Sequence, residues 1–104
     1  MVTLRAVLLI RVRPGFDRFV LDRLYGIPEV ESAYLILGDY DVCAIVVVRE
    51  ELVSTGINRL YSIIRDRVKC IDGIIDVNVL LSLGYRIKKH GFTPRELAIP
   101  TTPL

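Results

Sequence analysis

Residues 34–48 have the sequence Tyr34-Leu35-Ile36-Leu37-Gly38-Asp39-Tyr40-Asp41-Val42-Cys43-Ala44-Ile45-Val46-Val47-Val48. Two apolar runs in this segment flank a polar break at residues 38–41. The run after the break is rich in valine and isoleucine, which favour a strand over a helix. Glycine adopts unusual backbone angles, and aspartate side chains bond to nearby backbone groups, so the break is typical of a tight hairpin turn. The segment therefore predicts two antiparallel strands joined by a turn that is a candidate for function.

The apolar pattern on either side of this hairpin predicts two further strands and two helices. Strands are predicted at residues 2–13, 30–37, 40–49 and 75–85, and helices at residues 16–25 and 50–68. The first and third strands carry apolar residues on both faces, which is typical of central strands that are covered on two sides. The fourth strand alternates apolar residues with Asp76, Asn78 and Ser82, which indicates a sheet edge.

The two helices are predicted from apolar residues that repeat at helical spacing. Their buried stripes are predicted to be Phe16, Phe19, Val20 and Leu24 in the first helix, and Val53, Ile57, Leu60 and Ile64 in the second. Gly56 lies inside the second helix, where glycine costs about 1 kcal/mol relative to alanine. That cost indicates either close backbone packing at Gly56 or a tolerated defect.

The element order βαββαβ predicts a ferredoxin-like fold of the α+β class, with two helices on one face of a four-stranded antiparallel sheet. In this topology the first and third strands are central, in agreement with their apolar pattern. The helices leave the other face of the sheet uncovered, and this face would expose Val7 and Leu9. We expect it to form a dimer interface, sheet on sheet, in a dimeric α/β barrel-like assembly.

The composition supports one domain that associates with itself. Of the 104 residues, 52% are hydrophobic, which is more than a small domain buries alone. We expect the domain to occupy residues 1–89, followed by a C-terminal tail at residues 90–104. The net charge of +2 does not favour nucleic-acid binding. The chain shows neither a signal peptide nor an apolar run of about 18 residues, so a cytoplasmic location without membrane contact is expected.

No metal site or cofactor is predicted. The chain has two distant cysteines, Cys43 and Cys70, and one histidine, which do not have the spacing of a zinc site. We expect both cysteines to be buried free thiols, with a disulfide between them as the alternative in a hyperthermophile.

Three segments together resemble the effector-binding domain, called the RAM domain, of the Lrp/AsnC transcription regulators. They are residues 28–34, the Gly38-Asp39-Tyr40-Asp41 break with its valine-rich strand, and the Ile71-Asp72-Gly73-Ile74 turn. The similarity covers residues 2–89. It implies dimers that assemble further and an amino acid bound near the hairpin at contacts between dimers.

The full regulators of this family also carry an N-terminal helix-turn-helix, whereas this chain begins at its first strand. We therefore expect a stand-alone effector domain without sequence-specific DNA binding. Its expected partners are a second copy of itself and a full-length Lrp/AsnC regulator.

The candidate effector-binding residues are Gly38, Asp39, Tyr40 and Asp41. The two carboxylates could accept the ammonium group of an amino acid, and backbone N–H groups of the turn could hold its carboxylate. In the alternative interpretation Asp41 fixes the turn by bonding to backbone amides, and Asp39 is solvated. Tyr40 either lines the pocket or packs at the start of its strand.

The alternative functions are an enzyme, although no catalytic residue is predicted, and a purely structural assembly factor without a ligand. Small ferredoxin-like domains that dimerise through their sheets include heme-degrading enzymes and cofactor-free monooxygenases, which need a polar centre between sheet and helices. The helix stripes of this chain are apolar instead. His90, in the basic tail, has neither a carboxylate nor a nucleophile as an evident partner.

Overall fold

The computed structural model describes residues 1–84 and 86. Its strands and helices follow one another in the order β1-α1-β2-β3-α2-β4. The elements are β1 at Val2–Val12, α1 at Asp17–Tyr25, β2 at Val30–Leu35, β3 at Val42–Glu50, α2 at Val53–Ile63 and β4 at Ile74–Leu81. α2 continues directly into a π-helical segment at Ile64–Val68. The predicted tail, with His90, lies outside the described residues.

The four strands form one antiparallel sheet in the order β2-β3-β1-β4. β1 and β3 are the central strands, and β4 forms one edge. In the register of the sheet, Val7 of β1 lies beside Ile45 of β3 and Leu80 of β4. The topology confirms the predicted ferredoxin-like fold and the central position of the two strands that are apolar on both faces.

The core lies between the sheet and the helices. Alternate residues of the two central strands are buried there, namely Ala6, Leu8, Ile10, Val12, Val42, Ala44, Val46 and Val48. They pack with Val20 and Leu24 of α1 and with Leu60, Ile63, Ile64 and Val68 of α2 and the π-helical segment. Among the described residues, no buried side chain is polar or charged. Burial of apolar side chains therefore supplies the main stabilisation, at roughly 1.5–3 kcal/mol for each large one.

The opposite face of the sheet, which we call the open face, is formed by the residues that alternate with the core. Its centre consists of the half-buried residues Val7, Leu9, Cys43, Ile45 and Val47. Arg5 of β1 forms an ion pair with Glu31 of β2 at one border. The structure thus places Val7 and Leu9 at the centre of the open face, as the sequence predicts.

Two glycines allow elements of the fold to approach closely. A Cβ atom at Gly56 would lie 2.6 Å from Cδ1 of Leu4, so α2 packs directly onto β1 there and the prediction of close packing is confirmed. Gly73 has a φ of +97° and lies against Phe16, whose Cβ would be 2.6 Å from an added Cβ. The turn before β4 therefore requires glycine for both its backbone angle and its packing.

The boundaries of the second helix differ from the prediction. β3 continues to Glu50, and α2 begins at Val53, which is 50% exposed and was wrongly placed in the buried stripe. Val53 precedes Gly56, the position at which the helix comes into contact with β1. Phe19 of α1 is likewise 41% exposed, because it lies at the border of the core. Ile63, absent from the predicted stripe, is buried.

Candidate functional site

The connection between β2 and β3 is longer than the predicted tight turn. β2 ends at Leu35 and β3 begins at Val42, which leaves six residues, 36–41, between them. The backbone N–H of Ile36 donates to the carbonyl of Asp41 at 2.9 Å and closes the connection. Gly38 has a φ of +141°, an angle that side-chain-bearing residues rarely adopt. This geometry leaves Asp39 exposed at the tip.

Asp41 ties this connection to the neighbouring strand β1. Its backbone N–H donates to the carbonyl of Ile10 at 2.9 Å, and its Oδ2 accepts a hydrogen bond from the N–H of Val12 at 2.8 Å. The carboxylate thus satisfies a backbone donor just beyond the last residue pair of β1 and β3, Ile10 with Val42. The geometry is the one that the turn-fixing interpretation of Asp41 predicted, whereas a ligand contact by Asp41 stays a prediction.

Tyr40 reaches from the connection across the end of the open face. Its ring lies under the guanidinium of Arg11, with Cζ of Arg11 5.2 Å from the ring centroid. The Nδ2 of Asn78 donates to the Tyr40 hydroxyl at 3.5 Å, a long hydrogen bond. Arg11 belongs to β1 and Asn78 to β4, so Tyr40 connects three parts of the chain.

Arg11 and Asp39 carry opposite charges at this end of the sheet. Arg11 lies beside Asp76 in the register of β1 and β4. Even so, among the described residues neither Arg11 nor Asp39 forms an ion pair. The guanidinium lies on Tyr40 and the carboxylate of Asp39 faces solvent, so each retains its capacity to bind a charged group.

The sequence prediction contained the four hairpin residues but not Arg11 or Asn78 as members of the site. The polar stripe that contains Asn78 is expected from the sequence to face solvent at a sheet edge, with the lining of a cleft as the alternative. The available signal was the period-two alternation of β1 and β4, which places Arg11 on the same face as Val7 and Leu9. This alternation assigns Asn78 to the same face only when the β1–β4 register is known, because the register sets Leu9 opposite Asn78.

Possible metal ligands are dispersed over the described part of the chain. Within the described part of the chain, no three His, Cys, Asp or Glu side chains come together as metal ligands would. Cys43 and Cys70 are free thiols, and Cys70 is exposed where a buried thiol was predicted. Desolvation on the open face raises the pKa of the Cys43 thiol above its ordinary value, so it favours the protonated form. The helices in residues 1–84 fall short of the length and apolar character that a membrane-spanning helix needs.

A cleft lies on the helix layer, away from the hairpin. It has a volume of about 610 Å³ and is lined mainly by charged side chains and Phe19, including Asp22, Arg23 and Arg67. Arg67 is already paired with Glu29 at 3.3 Å, and Arg23 lies over the ring of Phe19. None of the residues 38–41 lines this cleft, so it is separate from the candidate site.

A protein-family model matches most of the chain. The family model described as the Lrp/AsnC ligand binding domain matches residues 5–91. This range contains the sheet apart from the first three residues of β1, together with both helices and the candidate site. No curated protein sequence matches the chain.

Solved structures with the same fold share low sequence identity with the chain. A protein from Thermus thermophilus has a TM-score of 0.67 at 22% identity, with 82% of this chain and 99% of that one covered. AsnC from E. coli has a TM-score of 0.71 at 22% identity, over 83% of this chain and 54% of AsnC. A transcriptional regulator from Neisseria meningitidis, solved as a complex with L-Met, has a TM-score of 0.70 at 17% identity, over 90% and 58%.

Proposed function

Because the chain belongs to the Lrp/AsnC ligand-binding domain family, we propose that it is an oligomeric amino-acid-sensing domain. It modulates transcription by associating with itself or with a full-length regulator of the family. The proposal rests on the family match over residues 5–91. This range includes the β2–β3 connection, where the carboxylate of Asp39 is exposed at the end of the sheet. The L-Met complex of the Neisseria regulator supports an amino acid as the class of ligand.

The ligand binds at the connection between β2 and β3, where Gly38, Asp39, Tyr40 and Asp41 are the effector-binding residues. Asp39 accepts the ammonium group, because it is exposed and, among the described residues, has no ion-pair partner. Backbone N–H groups of the connection are available to the ligand carboxylate. Asp41 contributes by holding the connection against β1 through its bonds to Ile10 and Val12.

The domain forms a dimer through the open face, with Val7 and Leu9 at the centre of the interface. The supporting observation is a continuous row of apolar side chains on that face, which water would otherwise contact. A twofold sheet-on-sheet arrangement buries the row on both copies. Contacts between dimers complete a pocket that a single chain leaves open at the hairpin, and they build the higher oligomer.

No catalytic role and no cofactor belong to this proposal. The space between sheet and helices, where the enzyme alternative requires a polar centre, is filled by apolar side chains in the described residues. Residues 1–89 form the sensing domain, and residues 90–104 are a tail outside it. The domain acts in the cytoplasm and does not recognise a DNA sequence by itself, since its role in transcription depends on a DNA-binding partner.

Thermal denaturation in the presence of each of the twenty amino acids tests the function. An amino acid that binds only the folded state adds RT ln(1 + [L]/Kd) to the free energy of unfolding and raises Tm. We expect at least one of the twenty to raise Tm in a concentration-dependent manner. If none does at millimolar concentration, the chain is not an amino-acid sensor.

The variant Asp39→Asn tests whether the amino acid binds at the β2–β3 connection. It removes the carboxylate charge at an exposed position, so we expect a lost or strongly weakened Tm response with an unchanged Tm of the free protein. Asp22→Asn is the matched control, because it makes the same chemical change in the cleft on the helix layer. A response that survives in the Asp39→Asn/Asp41→Asn double variant but disappears in Asp22→Asn would assign the ligand to that cleft.

A further inference from the structure

Arg11 occupies an unusual position for a surface arginine. It lies near the C-terminal end of the central strand β1, on the open face, and its guanidinium lies over the Tyr40 ring at 5.2 Å. Arg11 is exposed, and a cation–π contact uses its charge and leaves N–H groups of the guanidinium available as donors. The residue beside it in β4, Asp76, could have neutralised it but forms no ion pair with it.

The Tyr40 side chain beneath this guanidinium is restrained at its backbone and at its hydroxyl group. The backbone that follows Tyr40 is held by the two hydrogen bonds of Asp41 to β1. The hydroxyl of Tyr40 is held by Asn78 on β4. The ring of Tyr40 is therefore a platform that limits where the guanidinium lies, and an arginine held in advance loses less conformational entropy when it binds a ligand.

A guanidinium with available N–H groups donates two parallel hydrogen bonds to a carboxylate or a phosphate, and the amino acid of the proposed function supplies a carboxylate. Asp39 directly precedes Tyr40 in the chain, so an exposed carboxylate lies one residue from the aromatic ring that the guanidinium contacts. A free α-amino acid carries the two complementary charges on groups joined through a single carbon atom. The pair Arg11 and Asp39 thus matches the part that all free amino acids share.

We infer that Arg11 binds the α-carboxylate of the ligand, an inference that rests on the proposed amino-acid-sensing function. The site then requires a free α-carboxylate and rejects amino-acid amides, whose neutral group cannot accept the same charge-assisted pair. The side chain of the ligand is selected elsewhere in the site. Backbone N–H groups of the connection assist Arg11 but do not replace it.

The experiment compares amino acids with their own α-carboxamides. L-methionine, L-leucine, L-lysine and L-aspartate and the four corresponding amides are titrated calorimetrically into the wild-type protein and into the variants Arg11→Gln, Arg11→Lys and Arg18→Gln. Arg18 is the charge-matched control, because it is exposed on α1 on the other side of the sheet. Light scattering on the same samples records the oligomeric state.

For the amino acids that bind, we expect wild type to prefer the acid over its amide by roughly ten- to a hundredfold, the range for a charged hydrogen-bonded contact. Arg11→Gln should lower the affinity for the acid to that for the amide, while binding of the amide changes little. Arg11→Lys should recover part of the preference, because lysine keeps the charge without the bidentate geometry. Arg18→Gln should behave as wild type.

Failure of the proposed function and failure of the role of Arg11 give different titration results. If wild type binds none of the acids, the proposed function and the role of Arg11 both fall. If wild type prefers acids and Arg11→Gln keeps that preference, only the role of Arg11 is overturned. A loss of acid binding in Arg11→Gln that accompanies dissociation of the oligomer would also overturn it, since Arg11 would then act at the interface. Should Arg11→Gln fail to fold, unchanged acid binding by Arg11→Lys would count against the inference and weakened acid binding with intact amide binding would support it.

Discussion

The carboxylate of Asp41 accepts a hydrogen bond from the backbone N–H of Val12 at 2.8 Å, across a separation of 29 residues in the chain. Together with the bond from the Asp41 N–H to Ile10, it holds the β2–β3 connection against the end of β1. Asp41 therefore fixes the connection to β1, whereas Asp39, two residues earlier, is exposed. The same anchorage places Tyr40 between Arg11 and Asn78.

Removal of the Asp41 carboxylate should destabilise the fold. In Asp41→Ala the part-buried N–H of Val12 loses its acceptor, and we expect the free energy of unfolding to fall by about 1–3 kcal/mol. Asp39→Ala, in the same connection, should change it by less than about 0.5 kcal/mol, since Asp39 is exposed. Urea denaturation of the two variants measures the difference. Equal stability of Asp41→Ala and Asp39→Ala would show that the bond to Val12 contributes nothing.

Gly73 and Gly15 offer a matched test of packing at the turn before β4. Both have positive φ, +97° and +88°, but only Gly73 lies against Phe16, and nothing lies within 4 Å of a Cβ built at Gly15. Gly15→Ala should cost about 1–2 kcal/mol for the backbone angle alone. Gly73→Ala should cost about 1–3 kcal/mol more because of overpacking against Phe16. Thermal denaturation decides the matter, and similar losses in both variants would contradict the described contact.

A charge at the centre of the open face should dissociate the proposed dimer. We expect wild type to have at least twice the chain mass of 11.8 kDa in light scattering at micromolar concentration. Val7→Arg and Leu9→Arg should shift it to the monomer, because each would bury an unpaired charge in the interface. Tyr61→Arg, which alters an exposed residue of α2, is the control and should keep the wild-type mass. A monomeric wild-type protein would rule out the interface.

The two thiols should differ in reactivity. Desolvation raises the pKa of Cys43, which lowers its thiolate fraction at a given pH, and the thiolate is the reactive form. Labelling of the Cys70→Ser variant, which keeps Cys43, should therefore be slow near neutral pH and accelerate only at higher pH than for a free cysteine. The Cys43→Ser variant, with exposed Cys70, should label faster near neutral pH. Rapid labelling of Cys43 near neutral pH would contradict its shielding.

The strand order could be predicted because the evidence for it is local. Apolar residues on both faces of β1 and β3 indicate central strands, and the polar residues Asp76 and Asn78 of β4 indicate an edge strand. The start of α2 could not be predicted in the same way, since Glu50 suits a helix start and a strand end equally well. It is the sheet register that extends β3 to Glu50, by pairing this residue with Val2.

The candidate site was only partly predictable for a related reason. The sequence places Gly38, Asp39, Tyr40 and Asp41 together because they are consecutive. The contact between Tyr40 and Asn78 joins residues 38 positions apart and depends on the register of three strands. A single sequence contains no information on that register beyond the apolar alternation, so the position of Arg11 over Tyr40 emerges only from the fold.

Chemical-shift mapping shows whether an amino acid binds at the β2–β3 connection. Backbone amide resonances of the ¹⁵N-labelled wild-type protein are followed while the amino acid with the largest Tm effect is added. We expect the largest changes on the amides of Gly38, Asp39, Tyr40 and Asp41 and on the amide of Arg11. Changes confined to the helix-layer cleft, around Asp22, Arg23 and Arg67, with an unaffected connection would contradict this expectation.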